Sequence, residues 1–229
     1  MNIIINGGTR GIGRELVSCL AKDVNNRIIA TGRNEAMLQK LSGEYKNVKT
    51  VSIDMSVFDS QAGKFNKVVS GYFESVDILI NLAGTLIAKD FIEITNDEAR
   101  LIMETNFFGP ATMIRIIQPI MPPGSHIVNI SSMGGFQGSS KYNGLSYYSS
   151  SKAAIACLTE CLANEFKDFG ISVNCLALGA VQTEMLNEAF PGYKAPVEAK
   201  QMAEFISGFA MTGNKFFNGK ILPVAMSNH

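Results

Sequence analysis

The sequence predicts an α/β fold in one domain: a doubly wound, seven-stranded parallel sheet with helices on both faces. Three observations lead to this prediction. Short apolar runs alternate with amphipathic segments along the chain, which is typical of buried parallel strands connected by helices. A glycine-rich turn joins the first apolar run to the first amphipathic segment. The 229 residues are 46% apolar and contain no linker, internal repeat or low-complexity tract, which favours a single domain.

Each predicted strand is a short apolar run bounded by turn-forming residues. In chain order the predicted strands are Asn2–Asn6, Arg27–Thr31, Val48–Ile53, Asp77–Asn81, His126–Ile130, Ser172–Leu178 and Lys220–Val224. The predicted helices have apolar residues at spacings of three and four. They are Gly11–Lys22, Glu35–Leu41, Ser60–Ser70, Asn96–Gln118 and Tyr147–Phe169, and a further helix is expected from about Val197.

The charge balance argues against two classes of partner. Lys and Arg number 20, Asp and Glu also number 20, and no basic tail or stripe is present. The sequence therefore gives no electrostatic reason to expect binding to nucleic acid or to an anionic membrane. The first apolar run, Ile3-Ile4-Ile5, is too short for a signal peptide or a membrane span. The expectation is a cytoplasmic protein.

The cysteines and histidines do not predict a metal site. Cys19, Cys157, Cys161 and Cys175 form no CxxC pair and lie in apolar-patterned segments, so structural thiols in a reducing compartment are expected. No histidine or carboxylate joins Cys157 and Cys161 at a metal-ligand spacing. The two histidines are not part of a nucleophile or zinc pattern.

The turn after the first strand has the composition of a phosphate-binding loop. It reads Asn6-Gly7-Gly8-Thr9-Arg10-Gly11-Ile12-Gly13. Its glycines let the backbone turn sharply, approach a pyrophosphate and pack the next helix on the strand, while the helix N-terminus offers free N–H groups to the anion. A plain strand–helix turn is the alternative. The predicted cofactor contacts here are Gly7, Thr9, Arg10, Gly11, Ile12 and Gly13.

The end of the second strand indicates the preferred dinucleotide. This stretch, Ala30–Asn34, contains no acid that could bind a free ribose 2′-hydroxyl. Arg10 and Arg33 are available instead, and a guanidinium suits a phosphate in charge and geometry. We therefore expect NADP(H) to be preferred over NAD(H), although both arginines could simply be solvated. Asp54, after the third strand, is a candidate acceptor for the adenine amine.

Tyr148 and Lys152 lie four residues apart in the predicted helix Tyr147–Phe169, and therefore on one face of it. An ammonium near a phenol favours the phenolate, so the pKa of Tyr148 is expected to fall below its usual value of about 10. A phenol tuned in this way can give or take a proton near neutral pH. The same spacing occurs on many surface helices, so by itself it leaves a structural role open.

These motifs resemble, in the same order, those of the short-chain dehydrogenase/reductase family, including its 3-oxoacyl-carrier-protein reductase-like members. The glycine turn resembles TGxxxGIG with Asn6 in place of threonine, and Asn81-Leu82-Ala83-Gly84 resembles NNAG. Tyr148 and Lys152 fill the YxxxK pattern. The resemblance covers the whole chain and implies a Rossmann-type dinucleotide-binding domain.

Three further segments carry the resemblance. Glu104-Thr105-Asn106-Phe107-Phe108-Gly109 is similar to the segment with the family's active-site asparagine. Ile127-Val128-Asn129-Ile130-Ser131-Ser132 is similar to the strand that ends in its catalytic serine. Val173-Asn174-Cys175-Leu176-Ala177-Leu178-Gly179 resembles VNxxxPG, with Leu178 in place of proline. The implied catalytic residues are Asn106, Ser132, Tyr148 and Lys152.

The resemblance implies hydride transfer between a nicotinamide and a carbonyl or alcohol carbon. Tyr148 would donate the proton, and Ser132 would hydrogen-bond the substrate oxygen. Lys152 would lower the pKa of Tyr148 and hold the ribose hydroxyls, and Asn106 would anchor a water that connects Lys152 to solvent. Thr183 would hold the nicotinamide carboxamide. The other implied cofactor contacts are Asn81, Ala83, Gly84, Tyr148, Gly179 and Val181.

Three segments depart from the family pattern. The loop Met133–Tyr147 is a few residues longer than usual and rich in glycine and serine. The stretch Thr183–Pro196 is short, which predicts an open, shallow cleft or one closed by a neighbouring subunit, suited to a long or carrier-tethered substrate. After Asn218–Val224 the chain ends in Ala225–His229 instead of the usual Asp-Gly-Gly.

The leading hypothesis is an NADPH-dependent reductase of a small-molecule or carrier-bound carbonyl, of the 3-oxoacyl thioester or general ketone type. The alternative is a catalytically quiet NADP(H)-binding sensor or scaffold. A sugar epimerase or dehydratase is less favoured because too little chain follows Lys152 for a substrate domain. A homodimer or homotetramer is expected through the apolar faces of Asn96–Gln118 and Tyr147–Phe169, unless these faces only cover the sheet.

Overall fold

The chain folds around one parallel sheet of seven strands. A computed structural model describes residues 1–226. In chain order the strands are β1 (Asn2–Asn6), β2 (Arg27–Gly32), β3 (Val48–Ser52), β4 (Ile78–Asn81), β5 (His126–Ser132), β6 (Ser172–Leu178), β7 (Val181–Gln182), β8 (Val197–Glu198) and β9 (Ile221–Val224). The main sheet has the order β3-β2-β1-β4-β5-β6-β9, and β7 pairs with β8 apart from it. The order reverses between β1 and β4, so the carboxyl ends of these strands border the crevice where such sheets bind ligands.

Helices connect the strands. They are α1 (Gly11–Ala21), α2 (Glu35–Glu44), α3 (Phe58–Ser70), α4 (Asn96–Met103), α5 (Gly109–Ile117), α6 (Ser146–Glu165), α7 (Glu184–Ala189) and α8 (Ala199–Thr212). Short 3₁₀ turns lie at Met55–Val57, Gln118–Ile120, Met133–Gly135, Lys167–Phe169 and Gly213–Lys215. None of the helices formed by residues 1–226 is long and apolar enough to cross a membrane.

The central strands are buried on both faces, which explains their continuous apolar sequence. In β1, Ile3 and Ile5 belong to one hydrophobic cluster, together with side chains of α1 and α8. Ile4 points to the other face and belongs to a second cluster, with side chains of α3 and α5. All three isoleucines are fully buried. Two separate cores therefore hold helices to opposite faces of the sheet, as the alternation of strands and helices predicts.

The predicted sheet and single-domain fold are confirmed, and the predicted helix Asn96–Gln118 is helical throughout but is not one regular α-helix. It is divided into α4 and α5 by a π-helical turn at Glu104–Phe108. Pro110 provides the physical reason: it has no N–H to donate to the carbonyl of Asn106, so the α-helical hydrogen-bond ladder cannot continue through this point. The turn lies directly beside the candidate active site.

The four cysteines, expected to be structural thiols, are all free and lie in different environments. Cys175 is buried in β6, but Cys157 and Cys161 are exposed on α6. The apolar pattern of this helix comes from its other face, where Ile155, Ala156 and Ala163 pack against the sheet. Among the described residues, no group of three or more His, Cys, Asp and Glu side chains could hold a metal ion.

His126 at the start of β5 is a buried neutral histidine whose protonation should destabilise the protein. Its Nδ1 lies 3.0 Å from the carbonyl oxygen of Ala210, and its Nε2 lies 3.0 Å from the Asn174 side-chain nitrogen. Burial lowers the pKa of His126 to about 4. Because this value lies below the unfolded value of about 6.5, the unfolded chain binds more protons, and stability is lost as pH falls from 6.5 to 4. We expect a loss of about 3 kcal/mol from this group.

Urea unfolding at pH 7 and at pH 4.5 measures this loss. His126→Gln keeps a polar side chain that does not titrate in this range, so its stability should fall less between the two pH values. An equal fall in both proteins would contradict the assignment to His126.

Candidate active site

A cavity of about 700 Å³ opens at the carboxyl ends of the parallel strands. The glycine turn after β1 and the residues after β2 and β3 line one end of it. The ends of β5 and β6, the start of α6 and the α7 segment line the other end. Both the predicted nucleotide turn and Tyr148 therefore border the same cavity.

The glycine turn has the backbone that a close approach requires. Gly7 has φ of 97°, and a Cβ placed there would lie 2.6 Å from the backbone nitrogen of Ala83. A Cβ on Gly13 would lie 1.8 Å from the carbonyl oxygen of Gly7. Arg10, which precedes α1, makes no side-chain capping hydrogen bond, so its side chain does not occupy the N–H groups at this helix end. The turn and the helix end together form a cradle suited to an anion.

Gly13→Ala should abolish dinucleotide binding, because the added methyl group would overlap the Gly7 carbonyl and displace the turn. Gly63→Ala is the matched control. Gly63 lies inside α3 with no atom within 4 Å of the added methyl, so this variant should gain about 0.5–1 kcal/mol of stability and bind normally. NADPH fluorescence titration and urea unfolding of both variants check these results. Normal NADPH binding by Gly13→Ala would contradict the expected clash.

Both predicted phosphate-binding arginines border the cavity and face carboxylates. Arg10 Nη1 lies 2.9 Å from Glu188 Oε1, in α7, and Arg33 Nη1 lies 4.0 Å from Asp54 Oδ2. Both guanidinium groups are well exposed, and such pairs contribute little to stability. An incoming phosphate can therefore compete for either arginine. A Cβ on Gly11 would lie 3.3 Å from the Glu184 carboxylate, which places that acid over the glycine turn.

At the other end, Tyr148, Ser132 and Lys152 form a compact group. The Ser132 side chain hydrogen-bonds the Tyr148 hydroxyl. Ser132 Oγ also accepts a 3.1 Å hydrogen bond from the Gly134 backbone N–H, which fixes its orientation. Lys152 Nζ donates a 3.0 Å hydrogen bond to the carbonyl oxygen of Ile130 and lies 6.0 Å from the centre of the Tyr148 ring. The Tyr148 ring is partly exposed, while its hydroxyl is enclosed by protein.

The pKa values in this group differ from the expectation that Lys152 lowers that of Tyr148. Burial raises the pKa of the Tyr148 phenol, and the hydrogen bond from Ser132 opposes this effect only in part. Lys152 is 5% exposed, and burial lowers its own pKa to about 8. The pKa of Lys152 falls because its ammonium lies in the interior, and among the described residues no carboxylate lies within 4.0 Å to stabilise the charge. Burial thus disfavours the charged form of both groups, the Tyr148 phenolate and the Lys152 ammonium.

Asn106 lies beneath the cavity, and its side chain is fully engaged. Its amide nitrogen donates to the Thr85 carbonyl and to Ser151 Oγ, both at 2.9 Å, and its Oδ1 accepts a 2.8 Å hydrogen bond from the Thr85 N–H. The side chain therefore fixes the loop after β4 to α6. Residue 110 is proline, so the backbone carbonyl of Asn106 does not receive the N–H hydrogen bond that an α-helix would give it.

A row of polar side chains crosses the sheet just below the cavity. Thr31 donates to Asn6, Asn81 donates to Asn129, and Asn129 donates to Thr159 of α6, at 3.1, 2.9 and 2.9 Å. Asn6 and Asn81 are register partners in β1 and β4. The Asn6 side-chain nitrogen and the Asn81 side-chain oxygen have no partner among the described residues. One is a donor and the other an acceptor, so a single bridging water would complete the row.

The short segment after β6 forms α7, which lines the cavity. Thr183 caps α7 by accepting a 3.2 Å hydrogen bond from the Leu186 N–H. Helix formation turns Met185, Leu186 and Phe190 into the cavity wall, where they are partly buried, while Asn187 and Glu188 face outward. The sequence does contain a helix-start signal here, because Thr183-Glu184 is a typical helix N-terminus. The segment is too short for a helical periodicity to be detected.

Most of the predicted site residues line this one cavity. They are Gly7, Thr9, Arg10, Gly11, Ile12, Arg33, Asp54, Ala83, Gly84, Ser132, Tyr148, Lys152, Gly179, Val181 and Thr183. Gly13, Asn81 and Asn106 lie behind the cavity wall, as packing or hydrogen-bonding residues. Sequence reasoning missed the apolar wall of α7 and the hydrogen-bond partners Ser151 and Thr159, because no local pattern marks them.

Comparison with known proteins identifies the family. A family model described as short chain dehydrogenase matches residues 1–194. The chain belongs to the short chain dehydrogenase family. This chain is an oxidoreductase of that family, which uses a nicotinamide cofactor. An uncharacterized oxidoreductase of Staphylococcus saprophyticus is 26% identical over 207 residues, which cover 88% of this chain and 87% of that protein.

Solved structures share the fold of this short chain dehydrogenase. A short chain dehydrogenase from Burkholderia cenocepacia in complex with NADP has a TM-score of 0.85 at 21% identity, covering 97% of this chain and 95% of that one. A 4-hydroxyisoleucine dehydrogenase complexed with NADH has a TM-score of 0.86 at 22% identity, covering 98% and 96%. Because neighbours of this fold bind either dinucleotide, the preference of this dehydrogenase depends on its own residues.

Proposed function

We propose that this dehydrogenase is an NADPH-dependent reductase of ketones or aldehydes. The observation that carries the proposal is the hydrogen-bonded pair of Tyr148 and Ser132, which borders the same cavity as the glycine turn. The residues fit a dinucleotide because the cradle at Gly7 and Gly13 has no room for a side chain and leads into an uncapped helix end. When bound, the nicotinamide would supply the hydride.

Tyr148 and Ser132 divide the work on the substrate oxygen. Tyr148 has a raised pKa and therefore holds its proton at neutral pH. It can donate that proton to an oxygen that becomes basic as the carbonyl is reduced. Ser132 is held in place by the Gly134 N–H, and when substrate binds, its single O–H can turn from Tyr148 to the same oxygen as a second donor. In the oxidative direction Tyr148 would accept the proton of the alcohol, and Ser132 would hydrogen-bond the same oxygen.

Lys152 and Asn106 support this step from below. Lys152 would bind the ribose hydroxyls, and its ammonium, with a pKa of about 8, can return a proton to Tyr148 near neutral pH. The Asn106 backbone carbonyl would hold the water that reconnects Lys152 to solvent. The π turn at Glu104–Phe108 favours this role because Pro110 removes the usual partner of that carbonyl.

Arg10 and Arg33 support a preference for NADPH, and Arg33→Ala tests it. A charge-assisted contact to a phosphate is worth about 1.5–3 kcal/mol. The variant should therefore raise KM for NADPH about 10- to 100-fold and leave KM for NADH nearly unchanged. Arg14→Ala is the control, since Arg14 pairs with Glu44 outside the cavity lining. Equal losses with both dinucleotides, or a wild-type protein that prefers NADH, would contradict the proposed preference.

A further inference from the structure

The two ends of the cavity differ in charge. At the end formed by β1, β2 and β3, the lining includes Arg10, Arg33 and Asp54. Glu184 also belongs to this end, because its carboxylate lies over Gly11 of the glycine turn. These charges surround the space assigned to the nucleotide. The end around Tyr148 lacks these charged side chains.

The end formed by β5, β6 and α7 is mainly apolar, and its polar lining side chains include the hydroxyl groups of Ser132, Tyr142, Tyr148 and Tyr193. Its wall is built from side chains contributed by four separate segments, namely Leu86, Met133, Leu145, Met185, Leu186 and Phe190. In α7 the apolar side chains are the partly buried ones, and Glu184, Asn187 and Glu188 are exposed. The helix is therefore amphipathic, with its apolar side chains toward the cavity.

Charged groups near this end are already engaged. Lys152 is the one charged residue lining it within the described range, and its ammonium donates to the Ile130 carbonyl below Tyr148. The nearby Lys141 bonds the Phe136 carbonyl and Ser139 Oγ and does not line this cavity. A substrate carboxylate or phosphate placed here would lose its hydration without gaining a cationic partner, which is strongly unfavourable.

We infer that the substrate is an uncharged ketone or aldehyde with an apolar body, and not a keto acid or a phosphorylated sugar. The inference rests on the proposed function, since it assumes that the carbonyl meets Tyr148 and Ser132. The hydroxyl pair binds the one polar atom of such a compound, and the wall of Leu, Met and Phe side chains binds the rest. The side chains that line the pocket would thus favour uncharged substrates over anionic ones.

A matched pair of compounds tests this inference with the full-length protein and NADPH. The neutral probe is 4-methylacetophenone, and the charged probe is 4-acetylbenzoate, which replaces the methyl group by a carboxylate of similar size. We expect kcat/KM to be on the order of 100-fold higher for the neutral ketone. Equal or faster reduction of the carboxylate would overturn the inference and leave the reductase function intact.

Phe190→Arg tests whether the apolar wall is responsible. A guanidinium in this wall should lower the preference for the neutral ketone at least about tenfold, by improving the carboxylate and weakening the ketone. Asn187→Arg puts the same charge on the outer face of α7, outside the cavity lining, and should keep the wild-type preference. If both variants keep that preference, the wall is not the determinant and the inference fails.

Calorimetry separates failure of the inference from failure of the proposed function. Each probe is titrated into wild-type protein saturated with NADP⁺. If neither probe is reduced but the neutral ketone binds more tightly, the reductase proposal fails for this class of compound and the inference about the pocket stands. If the carboxylate binds as tightly as the ketone, or neither binds, the inference fails.

Discussion

Replacing Tyr148 by phenylalanine is expected to lower kcat for ketone reduction by about 100- to 10,000-fold, the usual contribution of a positioned proton donor. The variant removes one hydroxyl from a ring that lines the cavity and hydrogen-bonds Ser132. KM for NADPH should change little, because the glycine turn and Arg33 are untouched. Initial rates with 4-methylacetophenone and NADPH measure both quantities.

Tyr147→Phe is the matched control for this experiment. Tyr147 precedes Tyr148 in α6 but stacks on Phe91, with ring centres 5.7 Å apart, and does not line the cavity. Its hydroxyl should be dispensable, and the variant should keep wild-type turnover. Loss of activity in both variants would indicate damage to α6 instead of loss of a proton donor. Full activity of Tyr148→Phe would contradict the proposed mechanism and favour a catalytically quiet NADP(H)-binding protein.

The sheet could be predicted from sequence because its signals are local. Parallel strands buried on both faces must be short and apolar, and the connecting helices must be amphipathic. The glycine turn was also predictable, since only glycine tolerates the φ of 97° at Gly7 and the close contact at Gly13. Resemblance of motifs in the correct order added Ser132 and Asn106, which spacing alone could not have singled out.

The properties that depend on tertiary environment could not be predicted. The i,i+4 spacing placed Lys152 near Tyr148, but the sequence does not reveal that Ile130 O would take the ammonium's hydrogen bond. Nor does it reveal that burial would raise the pKa of Tyr148. The sequence also does not reveal that the helix passing through Asn106 contains a π turn. The first two of these outcomes depend on residues far apart in sequence, where local patterns contain no information.

Lys152→Met is expected to give a protein that is inactive but more stable at neutral pH. Turnover should fall at least about 100-fold, because the variant loses the group proposed to bind the ribose and return a proton to Tyr148. Stability should rise because the folded protein holds an ammonium whose pKa is lowered from 10.5 to about 8 by burial. This shift corresponds to about 3 kcal/mol of destabilisation at pH 7.

The net gain in stability is smaller than this value. Methionine leaves the Ile130 carbonyl without its donor, which costs about 1 kcal/mol. A rise of about 2 kcal/mol in the free energy of unfolding is therefore expected for Lys152→Met at pH 7. Urea unfolding of the cofactor-free protein measures it. A variant less stable than the wild type would show that the buried ammonium does not lower the free energy of unfolding.

The pH dependence distinguishes a buried charge from a simple change in packing. The folded pKa of Lys152 lies below its unfolded value, so above about pH 8 the unfolded chain binds more protons and the wild type gains stability as pH rises. Between pH 7 and pH 9.5 this gain should be about 2 kcal/mol, and Lys152→Met should lack it. Lys40→Met, at an exposed position in α2, should keep the wild-type dependence. If Lys152→Met also shows the full gain in stability between pH 7 and pH 9.5, another group causes that gain. If Lys152→Met alone loses both this gain and turnover, Lys152 is a residue that destabilises the fold and is needed for catalysis.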